Sequence, residues 1–185
     1  MKKYQIIYAD PPWEYWFPQN LWHRKQSRGQ SHYPCMTLEE ICNLPVKEIS
    51  AEKAHLYLWT PSQQLGNGEA KKVCEAWGFE IKNILTWCKP QIGLGYYFRN
   101  STEHIVFGVK GKMKTINKKQ GTWFIYPRGK HSEKPPQIRD LIIKCSGDLP
   151  RIELFARKSK GQLFEDKSFK GWDVWGNEVE SDIDL

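Results

Sequence analysis

The chain has 185 residues and a net charge of +7, from 28 Lys and Arg against 21 Asp and Glu. This length favours one domain with a full hydrophobic core, and the sequence lacks the run of about eighteen apolar residues that a membrane span needs. The five cysteines are scattered, with no Cys-x-x-Cys pair. Their pattern supports neither a disulfide framework nor a zinc site, and it indicates a reducing cytoplasm and no structural metal.

The first predicted strand, residues 4–9, ends abruptly at Asp10-Pro11-Pro12-Trp13. Its β-prone residues followed by two prolines indicate a buried strand that stops at a rigid corner. Because open α/β sheets bind ligands at the carboxyl ends of their strands, we expect Asp10 to face a ligand crevice. A carboxylate, a backbone carbonyl and an aromatic plate suit a planar group with amino hydrogens, such as a nucleobase. The alternative is a strand-ending turn with a solvated Asp.

A long polar, aromatic and basic segment follows, residues 14–34, with no helical or strand period. Loops of this length are usually functional or disordered. It contains Tyr33 and one basic cluster, and a second cluster lies between Lys110 and Lys119. Basic patches near aromatic rings favour a polyanionic partner with unstacked bases. We therefore expect these two loops to hold nucleic acid, the alternative being two solvated loops.

Strand and helix patterns alternate along the rest of the chain, which predicts an α/β fold with a mainly parallel sheet. A capping box at Thr37 and Glu40 opens a short helix that ends at Leu44. Further strands are predicted at residues 55–60, 81–89, 103–109, 123–126, 152–156 and 172–175. Further helices are predicted at residues 68–77, with Val73, Ala76 and Trp77 on the buried face, and 135–144. No linker divides the pattern, so residues 1–185 are expected to form one catalytic domain without a separate target-recognition domain.

Several short motifs occur in one characteristic order. They include Ala9-Asp10-Pro11-Pro12-Trp13, Tyr33-Pro34-Cys35-Met36, Thr86-Trp87-Cys88-Lys89, Thr102-Glu103-His104, His131-Ser132-Glu133-Lys134-Pro135, Ile152-Glu153-Leu154-Phe155-Ala156-Arg157 and Gly171-Trp172-Asp173-Val174-Trp175-Gly176-Asn177-Glu178. In this order they resemble the MT-A70-like family of adenine-N6 methyltransferases, which includes the catalytic subunit of the mRNA methyladenosine writer and bacterial and phage members. The resemblance implies a Rossmann-like methyltransferase fold in permuted order, with the catalytic motif first and the cofactor half last.

The resemblance also implies S-adenosylmethionine as the methyl donor. The implied catalytic residues are Asp10, Pro11, Pro12 and Trp13, and the implied cofactor residues are Asp10, Pro12, Lys134, Arg157, Asn177 and Glu178. Asp10 and the Pro11 carbonyl would each accept a hydrogen of the adenine amino group, and Trp13 would stack on the base. The expected substrate contacts are Tyr33, Lys112, Lys114, Lys118 and Lys119. The alternatives are a surface lysine at 134 and a turn or helix cap at 177–178.

Three other functions stay open at this point. The small size and the lack of an RNA-binding appendage favour DNA over RNA as the substrate, but RNA adenosine methylation remains the main alternative. Methylation of a protein glutamine uses a related corner, and the Lys-rich loop speaks against it. A catalytically silent nucleic-acid-binding subunit is a further alternative, against which the intact corner argues. A homodimer or a heterodimer with a related subunit is compatible with the sequence.

Overall fold

The computed structural model describes residues 2–14, 35–93, 97–129, 133–157 and 169–185. The predicted α/β class is confirmed. Within these ranges the strands are β1 Tyr4–Ala9, β2 Ser50–Thr60, β3 Glu80–Cys88, β4 Thr102–Lys110, β5 Trp123–Ile125, β6 Arg151–Leu154 and β7 Asp173–Trp175. The helices are α1 Leu38–Asn43, α2 Val46–Ile49, α3 Ser62–Gly66, α4 Glu69–Ala76 and α5 Gln137–Ser146.

The described strands form one sheet in the order β5-β3-β4-β2-β1-β6-β7. Strands β1, β2, β6 and β7 run parallel to one another, and β3 pairs in parallel with β5. Strand β4 runs antiparallel to both of its neighbours, β2 and β3. The mainly parallel sheet is therefore confirmed, with one reversed strand that the sequence pattern alone does not reveal. This reversal decides which loops reach the catalytic edge.

Helices cover both faces of the sheet, as a mostly parallel sheet requires. One core joins Ile7 and Leu56 to Ile41 of α1 and Val73 of α4. The other core packs Ile142 of α5 and its neighbours against the opposite face. Among the described residues, all the helices are shorter or more polar than a bilayer-spanning helix.

Several predicted boundaries need correction. Strand β2 starts at Ser50, five residues before the predicted start, because Ser50 pairs with Tyr4 of β1 and Ala54 pairs with Lys110 of β4. Ala76 is exposed and does not belong to the buried face of α4. That face has Ala70, Val73, Cys74 and Trp77, the i, i+3, i+4, i+7 spacing of an amphipathic helix. Strand β6 ends at Leu154, because the next residue, Phe155, has a φ of 62°.

The start of α1 matches its prediction in atomic detail. The Thr37 hydroxyl accepts the Glu40 N–H at 3.2 Å, and the Glu40 carboxylate accepts the Thr37 N–H at 2.7 Å. This reciprocal capping box fixes the segment that returns to the corner after residue 34. The short helices α2 and α3 were not predicted from the sequence pattern, and each follows a proline, Pro45 and Pro61.

Candidate active site

Asp10 lies where the prediction placed it, at the carboxyl end of a buried central strand. Strand β1 runs between β2 and β6, and Ala9 is level with Leu58 and Leu154. The Asp10 N–H donates to the Leu154 carbonyl at 3.4 Å, which closes the ladder just before the prolines. The side chain is 23% exposed. The carboxylate is thus held by a rigid strand end and still reaches the crevice.

The double-proline corner is fixed by hydrogen bonds on each of its carbonyls. The Trp13 N–H donates to the Pro11 carbonyl at 2.8 Å, and the Met36 N–H donates to the Pro12 carbonyl at 2.9 Å. A carbonyl oxygen has two lone pairs, so Pro11 retains acceptor capacity for a second donor. The Pro11 carbonyl can therefore still accept an amino hydrogen, as predicted, although it already accepts the Trp13 N–H.

Trp13 does not present the exposed aromatic plate that the sequence suggested. It is 4% exposed, and its indole N–H donates to the Trp59 carbonyl at 2.8 Å. The side chain packs in the core that contains Ile41 and Leu58. In this position Trp13 anchors the corner to the end of β2, and its face is not available for stacking on a base.

A chain of alternating charges extends from Asp10 across the crevice. The Lys134 ammonium lies 3.0 Å from Oδ1 of Asp10 and 3.3 Å from Oε2 of Glu103. The other oxygen of Glu103 pairs with Lys89. Lys134 comes from the segment before α5, Glu103 from the start of β4 and Lys89 from just beyond β3. Three separate elements thus converge on the candidate acceptor.

The charges in this chain stabilise one another. Burial by itself lowers the pKa of Lys134, but the carboxylates of Asp10 and Glu103 outweigh it and raise that pKa above its ordinary value. Burial likewise raises the pKa of Glu103, and the ammonium groups of Lys134 and Lys89 more than reverse the effect, so the pKa is lowered. Lys134 is therefore a cation and Glu103 an anion at neutral pH.

Two buried indoles form the floor beneath these ammonium groups. The Lys134 ammonium lies 5.1 Å from the centre of the Trp59 ring, and the Lys89 ammonium lies 4.6 Å from that of Trp87. The two indoles meet edge to face, with ring centres 6.0 Å apart. Cations within about 6 Å of an aromatic face gain electrostatic stabilisation. The floor therefore holds both lysines at the crevice instead of in solvent.

Glu103, Lys89 and Trp59 belong to the site but were not among the predicted site residues. Their position at strand ends could have indicated that they belong to the site. Trp87, near the end of β3, pairs with Glu103 at the start of β4, so both lie at the same edge of the sheet. Residues 127–129 and 133–137 line a concave surface beside Lys134, which continues the crevice.

The cofactor half predicted by the resemblance meets Asp10 at the same edge. Strand β7 lies beside β6, and the Ala156 N–H donates to the Trp175 carbonyl at 3.0 Å. Arg157 and Glu178 pair across the two following turns, with Nε and Oε1 4.0 Å apart. Asn177 and Glu178 are exposed, so their side chains are accessible to a ligand.

The turn after β7 approaches the turn after β6 unusually closely. A Cβ atom on Gly176 would lie 2.7 Å from the Ala156 carbonyl oxygen and 2.9 Å from its nitrogen. Phe155, with its φ of 62°, gives this turn a conformation that non-glycine residues rarely adopt. Strained backbone persists where the surroundings determine it, and it is frequent at ligand sites.

The predicted substrate residues are not all brought to this edge. Lys112 and Lys114 follow the end of β4, where Lys110 pairs with Ala54, whereas Asp10 follows the opposite end of the strands. Lys118 and Lys119 lie further along the connection towards β5. Tyr33 lies outside the described residues, with most of the predicted segment 14–34.

Comparison with known proteins gives one family model and several named relatives. The MT-A70 family model matches residues 4–178. The Type II methyltransferase M.MunI from a Mycoplasma species is 34% identical over 194 residues, which cover 96% of this chain and 78% of that protein. The human N(6)-adenosine-methyltransferase catalytic subunit METTL3 is 24% identical over 96% of this chain but only 28% of its own length. The zebrafish METTL3 subunit gives the same 24% identity and 28% coverage. The chain therefore belongs to the MT-A70 family, which confirms the family that its motifs predicted.

Proposed function

We propose that this protein transfers a methyl group from S-adenosylmethionine to the exocyclic N6 of adenine in DNA. The observation that carries the proposal is the Asp10 carboxylate at the carboxyl edge of the sheet, 3.0 Å from the Lys134 ammonium and next to the turns after β6 and β7. An acceptor and a cation meet there at the edge where α/β enzymes bind their ligands.

The chemistry required of the chain is positioning and electrostatics. The lone pair of the adenine amino nitrogen is delocalised into the ring, so this nitrogen is a poor nucleophile. If Asp10 and the Pro11 carbonyl each accept one amino hydrogen, the nitrogen is drawn towards tetrahedral geometry and its lone pair becomes available. Once the methyl group has transferred, the nitrogen carries an extra proton, which Asp10 accepts.

The residues at the edge fit S-adenosylmethionine by their chemistry. Its carboxylate needs a cation, its ribose hydroxyls need acceptors, and its sulfonium supplies the methyl group when it is bound. Lys134 offers a cation that remains charged at neutral pH, and Asn177 and Glu178 offer exposed acceptors after β7. We assign Lys134 to the carboxylate, Asn177 and Glu178 to the ribose, and Arg157 to the orientation of Glu178, with which it pairs. We assign Asp10 and Pro12 to the part of the cofactor site that faces the methyl group to be transferred.

The roles of the remaining corner residues follow from their contacts. Trp13 is a positioning residue, because it holds the corner through the Trp59 carbonyl. Tyr33 and the lysines at 112, 114, 118 and 119 stay proposed nucleic-acid contacts. DNA is favoured over RNA because the match to a Type II methyltransferase extends over 78% of that protein, whereas METTL3 is matched over 28%. The protein would then act in the cytoplasm on bacterial or phage DNA.

A direct assay of the product tests this function. The purified protein is incubated with methyl-labelled S-adenosylmethionine and with adenine-containing DNA or RNA, and the digested nucleosides are resolved by mass spectrometry. We expect N6-methyldeoxyadenosine from DNA, and none from the Asp10→Ala variant. A product found only in RNA would favour the adenosine methyltransferase alternative. Cofactor binding with no product from either polymer would contradict the proposed reaction.

A further inference from the structure

A dense group of lysines lies at the edge of the sheet opposite to the active site. Most of these side chains are exposed, and they come from the start of β1, the segment around the start of β2 and the end of β4. We call this group the rear basic surface; it comprises Lys3, Lys47, Lys53, Lys110, Lys112 and Lys114. Its acidic neighbours are Glu48 and Glu52, which leaves an excess of positive charge.

The register of the strands gives its distance from the catalytic corner. Ala9 is level with Leu58 and Val106, and Lys110 follows Val106 by four residues in the direction away from Asp10. At about 3.3 Å per residue, Lys110 lies about 17 Å below Asp10 along the strands, and Lys112 lies further still. The lysines of this surface therefore do not contact the base that reacts at Asp10.

The surface is held in a defined shape. The Lys110 ammonium donates to the Ser50 hydroxyl at 2.6 Å and to the Lys47 carbonyl at 3.2 Å. The Lys3 ammonium donates to the Glu48 carbonyl. A Cβ on Gly111 would contact the Glu52 carbonyl, so this glycine, with a φ of 66°, sets the turn that presents the following lysines.

The connection beyond Gly111 is tied to the core on its other side. Nε2 of His55 donates to the Met113 carbonyl at 3.3 Å, and the Ile116 N–H donates to the Cys145 carbonyl at 2.8 Å. Met113 lies between Lys112 and Lys114, so the two side chains leave a fixed backbone. Less conformational entropy is then lost when they engage a partner.

The cations are close enough to repel one another. Burial lowers the pKa of Lys110, and the charges of Lys3 and Lys47 lower it further, against a small opposing effect from Glu52. The lysines are spread over the ends of three adjacent strands, β4, β2 and β1, which are spaced about 4.8 Å apart. A row of this kind matches a linear polyanion better than it matches a single phosphate group.

We infer that the rear basic surface binds the phosphate backbone of duplex DNA that flanks the target site. This inference rests on the proposed function, since it takes DNA as the substrate. A separation of about 17 Å corresponds to about five base pairs at 3.4 Å each. Phosphates near the target adenine are therefore out of reach of these lysines, and contact with them requires a duplex that continues from the crevice along the strand direction. The contact adds affinity without sequence information, because phosphates are the same in every sequence.

The test compares two double variants that remove the same charge. Lys47→Gln/Lys53→Gln alters exposed lysines of the rear basic surface, and Lys71→Gln/Lys72→Gln alters exposed lysines of α4. Dissociation constants are measured at several salt concentrations for a 30-base-pair duplex and for a single-stranded hexamer with a central adenine. Methylation of the hexamer is followed in parallel, so that failure of the proposed function is detected separately from failure of the surface.

The rear variant is expected to bind the duplex at least about three-fold more weakly, with a log–log salt slope shallower by about 1.8. The rear variant should bind and methylate the hexamer like the wild type. The α4 variant should match the wild type in duplex binding, salt slope and hexamer methylation. An unchanged duplex slope would overturn the inference. An equal loss on the hexamer would also overturn it, because the lysines would then act at the target base. If the wild type binds the duplex but methylates neither DNA, the proposed function is contradicted, and the salt slopes still test the rear basic surface.

Discussion

The Lys134 ammonium and Oδ1 of Asp10 are 3.0 Å apart, so the proposed cofactor lysine and the proposed amino-group acceptor share one ion pair. Adenine must compete with this lysine for the same carboxylate. Glu103 lies on the other side of Lys134, at 3.3 Å, and provides a second anion for it. A cofactor carboxylate that engages Lys134 would therefore leave Asp10 free to accept the amino hydrogens.

Substitution of Asp10 by alanine is expected to abolish methyl transfer. Loss of one preorganised transition-state partner costs about a hundred- to a thousand-fold in rate. Cofactor affinity should stay within a few-fold, because Lys134 keeps Glu103 as its partner. Single-turnover kinetics and calorimetry measure the two quantities. Turnover close to that of the wild type would show that the corner has another role.

Replacement of Lys134 by alanine is expected to weaken cofactor binding more than nucleic-acid binding. Hydrogen bonds to charged groups contribute about 1.5–3 kcal/mol, which corresponds to about a ten- to hundred-fold loss of affinity. Calorimetry with S-adenosylmethionine measures it, with Lys71→Ala on the exposed face of α4 as the matched control. If both variants bind the cofactor like the wild type, Lys134 has no part in cofactor recognition.

The parts of the site that were predictable from sequence are local in the chain. Asp10 follows directly on its strand, so the β-prone run and the double proline predict both the strand end and the carboxylate at that edge. The turns after β6 and β7 meet because consecutive parallel strands end at one edge of a sheet. The resemblance to the family motifs predicted that the catalytic motif comes first along the chain and the cofactor half last.

The parts that were missed depend on the direction of one strand. A sheet taken as mainly parallel gives no reason to place residues 111–119 at the rear edge, but β4 is antiparallel and ends there. The same reversal brings Glu103, at the start of β4, to the catalytic edge beside Lys134. Periodicity predicts that a strand exists and which face is buried, and it carries no information on direction. Trp13 was misjudged for a related reason, since burial of a side chain after a strand depends on tertiary packing.

Trp13→Phe is expected to destabilise the fold and to slow the reaction. The substitution leaves the Trp59 carbonyl without its buried donor, at a cost of about 1–3 kcal/mol in the free energy of unfolding. The rate of transfer should fall because the corner loses its anchor, while cofactor affinity is unchanged. Urea unfolding and single-turnover rates measure both effects. Trp123→Phe, at a position that is 61% exposed, serves as the control and should change neither.

Glu103 gives the fold a specific acid sensitivity. Its pKa is lowered because Lys134 and Lys89 outweigh the effect of burial, so the folded protein binds fewer protons at this group than the unfolded chain does. The stabilising contribution is therefore present above the unfolded pKa of 4.5 and is lost as the pH falls through the lower folded value. Between pH 6 and pH 3, the unfolding free energy of Glu103→Gln should fall less steeply than that of the wild type. Glu75→Gln, which removes a carboxylate 3.7 Å from Lys71 on the surface, should follow the wild-type curve. Parallel slopes for Glu103→Gln and the wild type would contradict the assigned charge pairing.

Gly176→Ala tests the close approach of the two turns in the proposed cofactor half. The new Cβ would lie 2.7 Å from the Ala156 carbonyl oxygen, which is backbone and cannot move without displacing the turn after β6. Asn177 and Glu178 follow this glycine directly, so their side chains would shift with it. We expect the affinity for S-adenosylmethionine to fall about ten-fold or more, measured by calorimetry. Gly66→Ala is the matched control, because a Cβ there meets nothing within 4 Å. Normal cofactor affinity in a folded Gly176→Ala protein would place the cofactor away from the β6 and β7 turns.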